Sequence, residues 1–188
     1  MSPEQVRKLA LAGVVLGFGS AAVAGYFVLT APGGPEPAPV GRFQVSQRPA
    51  AEFAFTDGAG KPVRLADFAG KAVLLNLWAT WCVPCIREMP SLDRLQSELG
   101  GADFQVVAAA QDRGGAAVVL PFLEKLGVKA LAPYLDTPGA AGRAFGVQGL
   151  PTSILIGRDG RETARLLGGA DWDSPAVRAQ IGELTGRR

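Results

Sequence analysis

From Leu9 to Leu29 the chain carries no charged residue, and Leu, Val, Ala and Gly dominate. About 20 apolar residues are what a helix needs to cross a bilayer, so this run predicts a membrane span within a segment 1–30. The stretch that follows, "TAPGGPEPAPVGRFQVSQRP", has recurrent Pro and Gly and almost no apolar periodicity. It reads as a semi-extended tether, a linker over 31–49. Beyond it the pattern changes to that of a packed domain over 50–188. "EFAFTDGAGKPVRL" predicts two short strands joined by a turn at Asp57-Gly58 and Gly60. "KAVLLNLWA" is continuously apolar, as a strand buried on both faces must be, and is expected at the centre of a sheet. Ile86, Met89, Leu92, Leu95 and Leu99 then recur at spacings of three and four, the stripe of an amphipathic helix that ends near Gly100-Gly101. "DFQVVAAA" predicts a second buried strand and "VVLPFLEKLG" a second helix. "LAPYLD" is ambiguous, "AAGRAFGV" suits a turn or two of helix, and "TSILIG" and "ETARLLG" predict strands flanking the turn "RDGR". Ser174 followed by Pro175 supplies an N-cap and first-turn proline for a closing helix. The sum is a mixed α/β sheet with helices on both faces.

Composition narrows the function classes. The chain has 188 residues, enough for one ordinary domain plus a tail or anchor, and no period of 20 to 50 residues recurs. Lys and Arg total 19 against 17 acidic residues, a formal charge of +2, and no basic run is interleaved with aromatics. Nucleic acid is therefore not the expected partner. Arg7 and Lys8 precede the apolar run and no basic residue follows it until Arg42. That asymmetry puts the N-terminus in the cytoplasm and the domain outside it. "AVA" at 22–24 also fits a signal-peptide cleavage site, and the same compartment follows from either reading; the length of the run favours an uncleaved anchor. A buried core helix fits poorly beside the Pro-rich stretch.

The only two cysteines stand in "NLWATWCVPCIREMP". A zinc site needs further ligands, and there is no third cysteine and no histidine. Covalent haem attachment needs His after the second cysteine, where this chain has Ile86. A structural disulfide across so small a loop removes little entropy from the unfolded chain. A redox dithiol fits the context, because the pair sits where a buried strand hands over to a helix. Cys82 at the helix N-terminus gains from unpaired N–H groups and the helix dipole, which favour a thiolate and make it the attacking nucleophile. Cys85, one turn on, is placed to resolve the mixed disulfide. Pro84 costs little in a first turn that has no hydrogen bond to lose, whereas Pro90 should remove one from the carbonyl of Ile86.

"WATWCVPCIREMPSLDRL" together with "GLPTSILIGRDGRE" resembles the membrane-anchored TlpA-like branch of the thioredoxin superfamily, over roughly Ala50 to the C-terminus. The resemblance implies a thioredoxin-like α/β fold with an N-terminal transmembrane helix, placed in a bacterial inner membrane with the catalytic domain in the periplasm. It implies that Pro151 is cis and lies against the dithiol, with Leu150 offering its backbone to a substrate strand. Trp81, with Pro84, would form part of the rim that receives partner peptides; Trp78 and Trp172 are expected as packing residues. Classical members of the superfamily bury an aspartate where this chain has Asn76, which cannot shuttle a proton. Glu88 is the substitute that the resemblance offers, on the helix face of Cys85; a solvated charge near Arg87 is the competing reading.

The activity so implied is thiol-disulfide oxidoreduction with no cofactor beyond the Cys82-Cys85 disulfide. The favoured role is donation of electrons to cysteine pairs of exported proteins during cytochrome c or copper-site assembly, with electrons received from a membrane donor. An oxidase or isomerase would use the same sulfurs, since potentials across this fold span about −270 to −120 mV. A peroxidase is disfavoured by the lack of a T-x-x-C arrangement around Cys82. A non-enzymatic Cu(I)-binding module is the remaining alternative.

Overall fold

The computed structural model describes residues 42–186. The segment 1–30 assigned to a membrane span, and most of the tether, lie outside the described residues. Among the described residues no helix is long and apolar enough to cross a membrane.

Among the described residues eight strands form one mixed sheet in the order β1-β8-β7-β4-β5-β6-β2-β3. In chain order they are β1 (Gln44–Pro49), β2 (Ala54–Asp57), β3 (Pro62–Arg64), β4 (Ala72–Trp78), β5 (Phe104–Ala110), β6 (Tyr134–Leu135), β7 (Thr152–Ile156) and β8 (Arg161–Leu167). The helices are α1 (Val83–Leu99), α2 (Ala116–Lys125), α3 (Ala140–Ala144) and α4 (Pro175–Thr185). β4 runs parallel to β5 and antiparallel to β7, and all seven of its residues are buried. It is the central strand that its apolar run, interrupted only by Asn76, predicts.

Alternation along β4 divides the core. Ala72, Leu74 and Trp78 join the cluster that also holds Met89, Leu92 and Leu95 of α1, Val119 of α2 and Val177 of α4. Val73, Leu75 and Leu77 face the opposite cluster, with Phe53, Phe55, Ala141 of α3 and Phe145. The period of two therefore puts Asn76 on the α1 side of the sheet, the one polar position in an otherwise apolar strand.

α1 continues through Pro90, which lies on its exposed side. Ser174 caps α4 as its sequence predicts, its hydroxyl accepting from the Val177 N–H at 3.4 Å. The ambiguous "LAPYLD" becomes a two-residue strand beside β5.

The linker 31–49 ends earlier than its composition implied. Gln44–Pro49 is an edge strand, antiparallel to β8, and Phe43 before it packs on Trp172 with ring centroids 6.1 Å apart. The strand has no signature in the sequence because its side chains are almost all exposed, which leaves no apolar alternation. Two things hold it instead. It pairs along the β8 backbone, and Arg48 donates to Glu162 at 3.1 and 3.2 Å.

Candidate active site

β4 delivers the chain to the head of α1 through Ala79, Thr80 and Trp81. Asp112, buried in the loop after β5, fixes this turn: its carboxylate accepts from the Thr80 N–H at 3.0 Å and from the Thr80 hydroxyl at 2.5 Å. Cys82 is the N-cap of α1, with extended backbone angles, and its sulfur accepts from the Cys85 N–H at 3.4 Å. Cys82 and Cys85 are joined at 2.03 Å, so the structure is that of the oxidised protein. Cys85 is fully buried, and Cys82 retains 6% exposure.

Around this bond Trp81 is 69% exposed and Val83 54%, an apolar surface beside Cys82. Pro84 stands exposed in the first helical turn. The Leu150-Pro151 peptide is cis. Register brings it to the same end of the sheet, since Thr152 at the head of β7 pairs with Leu77 of β4. Pro151 is buried, and its carbonyl accepts from the Gly168 N–H at 2.9 Å. Leu150 is half-buried and packs against both core clusters.

Glu88 is not a solvated helix charge; it is 3% exposed. Asn76 Nδ2 donates to one carboxyl oxygen at 2.8 Å. The Trp172 indole N–H at 2.9 Å and the Ala170 N–H at 3.1 Å donate to the other. Burial pushes the Glu88 carboxyl up from 4.5 to about 6, while the three hydrogen bonds pull in the opposite direction. The outcome is a carboxyl that holds its proton to a higher pH than an exposed glutamate does.

Three parts of this cradle were missed in sequence. Trp172 is fully buried, as a packing residue should be, but its N–H also holds Glu88. The Ala170 amide and Ser153, whose hydroxyl lies 2.9 Å from Asn76 Nδ2, complete the arrangement. The available signal was Asn76 itself, because a polar side chain inside a buried strand needs a partner. Among the described residues no group of three or more His, Cys, Asp or Glu side chains could hold a metal ion.

A domain of this topology, with a disulfide across the first turn of a helix and a cis proline at the same end of the sheet, defines a thiol-disulfide oxidoreductase of the thioredoxin superfamily. Comparison with known proteins agrees. Residues 44–181 match the Redoxin family, and the chain belongs to it. It is TlpA-like within that superfamily, and its activity is thiol-disulfide oxidoreduction. It is 36% identical over 119 residues to thiol-disulfide oxidoreductase ResA of Bacillus thuringiensis subsp. konkukian, covering 63% of this chain and 68% of the relative. A solved structure from Chlorobium tepidum designated thiol:disulfide interchange protein DsbE superposes with a TM-score of 0.66 at 31% identity, covering 75% of this chain and 99% of that one. The exposed lipoprotein thioredoxin Etrx1 of Streptococcus pneumoniae gives 0.61 at 28% identity, covering 71% and 99%.

Proposed function

We propose that the protein acts outside the cytoplasm as a reductant of cysteine pairs in exported proteins, serving cytochrome c or copper-site maturation and drawing electrons from a membrane thiol donor. Exported cysteines oxidise in that compartment, and metal or haem attachment requires them as thiols. The uncharged run from Leu9 to Leu29 supports an anchored protein. The similarity to an exposed lipoprotein supports the same compartment.

The observation that carries the reading is the pairing of a helix-capping sulfur, Cys82, with a buried carboxyl three residues beyond Cys85. In the reduced protein the Cys82 thiolate attacks a substrate disulfide. A Cys82–substrate disulfide forms, and one substrate sulfur leaves as thiolate and takes a proton from water. Cys85 then gives up its thiol proton, with Glu88 as acceptor, and attacks Cys82. The second substrate sulfur departs, two electrons have passed to the substrate, and the protein is left with the Cys82-Cys85 bond seen here. A dithiol donor restores it by the reverse exchange.

The test is to trap partners with Cys85→Ser, which should accumulate mixed disulfides at Cys82, and to measure the dithiol potential against glutathione. Captured cytochrome or copper-site precursors and a potential below that of the surrounding pool support the role. A strongly oxidising potential would reassign the protein to disulfide formation, and equal capture by Cys82→Ser would overturn the choice of attacking sulfur.

A further inference from the structure

The carboxyl of Glu88 is surrounded by donors. Asn76 Nδ2, the Trp172 indole and the Ala170 amide all point N–H groups at it, an arrangement suited to the ionised form. When Glu88 takes a proton it becomes a donor as well and needs an acceptor. Among the described residues one buried acceptor nearby lacks a partner: Oδ1 of Asn76, whose side chain has no exposed surface.

We propose that Asn76 is a proton-coupled rotor, its amide turning by half a revolution about its last bond each time Glu88 gains or loses its proton. With Glu88 ionised, the amide must point nitrogen inward, because the reverse orientation would bring Oδ1 within about 2.8 Å of a carboxylate oxygen. With Glu88 protonated, the same spacing becomes a hydrogen bond from the carboxyl O–H to Oδ1. Ser153 follows without moving. Its hydroxyl accepts from Nδ2 at 2.9 Å in the first state and donates to Oδ1 in the second, since a hydroxyl can do either. Each state makes two hydrogen bonds through Asn76 and leaves the other end of the amide unpartnered, so neither is strongly preferred. Trp172 and the Ala170 amide can only donate, and they favour the ionised form alone.

The titratable groups around the carboxyl are few. Cys82 and Cys85 lie earlier on α1 and are joined, and Arg87 on α1 is exposed. Asp171 and Asp173 follow on the loop after β8, with Asp173 bound to Arg94. β4 and β7 contribute none. The consequence for exchange rests on Glu88 accepting the Cys85 proton: a base whose neighbour serves both of its states can take and return that proton without reorganising the core.

The experiment needs no substrate, so its failure is distinct from failure of the proposed role. In the oxidised full-length chain, carboxyl NMR of Glu88 is followed with pH together with cross-peaks from the Asn76 amide protons to the Ser153 β-protons. The cross-peaks should be present at high pH and vanish with the Glu88 midpoint as pH falls. Their persistence through the Glu88 titration overturns the proposal. Two variants sharpen it. Trp172→Phe removes a pure donor and should raise the Glu88 midpoint by about one unit, roughly tenfold in proton affinity. Asn76→Leu removes a partner of both states and should move it by less than about threefold. An Asn76→Leu shift as large as that of Trp172→Phe makes Asn76 a fixed donor and sinks the rotor.

Discussion

Among the described residues two glutamates are withdrawn from solvent, Glu88 on α1 and Glu162 on β8, and their carboxyls are driven in opposite directions. Burial pushes both up. At Glu162 the hydrogen bonds and charges of Arg165 and Arg48 outweigh it, so that carboxyl is held below its ordinary range. Arg165 donates at 2.8 and 2.9 Å and Arg48 at 3.1 and 3.2 Å. At Glu88 every partner is neutral, burial prevails and the carboxyl rises to about 6. The same residue type thus becomes a fixed charge that ties an edge strand to the sheet, or a neutral-lined carboxyl that the proposed mechanism uses as a proton acceptor. Cations decide which, more than depth of burial does.

The largest effect that would test this contrast is on rate. Glu88→Gln should lower disulfide reduction by on the order of 100-fold at neutral pH and remove a kinetic step near pH 6, while Glu162→Gln leaves that profile unchanged. Stopped-flow reduction of a model disulfide across pH reads both. Next in size is stability. Glu162→Ala leaves Arg165, whose side chain is 23% exposed, without its carboxylate, and should cost about 2 to 3 kcal/mol in chemical denaturation. The smallest effect is a pH dependence of stability. Folded Glu88 keeps its proton up to about pH 6 and the unfolded chain only to about 4.5, so the folded state binds more protons between them. Stability should therefore fall by about 2 kcal/mol as pH rises through that window, and Glu88→Gln should flatten it. Glu162 acts with the opposite sign, adding stability above its unfolded range that is lost as pH drops below it.

Sequence made the reactive bond easier to find than the groups that govern it. Cys82, Pro84 and Cys85 fall within four residues, and the strand before them and the helix stripe after them are local patterns, so the sheet centre and α1 are legible from periodicity. Glu88 entered only through a resemblance, because a glutamate on a helix looks the same whether it faces water or core. Its donors Ala170 and Trp172 lie 82 and 84 residues away. Asn76 could be recognised as an oddity in its strand, but its meeting with Glu88 depends on how α1 lies across β4. β1 was lost for the opposite reason: its stability comes from backbone pairing and from Arg48, neither of which leaves an apolar signature.

The positions of the three tryptophans have an optical consequence. Trp78 closes β4, Trp81 immediately precedes Cys82, and Trp172 is bonded to Glu88, so all the indole emission of the chain originates around one helix end. A disulfide quenches nearby excited indoles and dithiols do so less. The unlabelled protein should accordingly brighten on gaining electrons, and a fluorimeter alone could follow its turnover in real time.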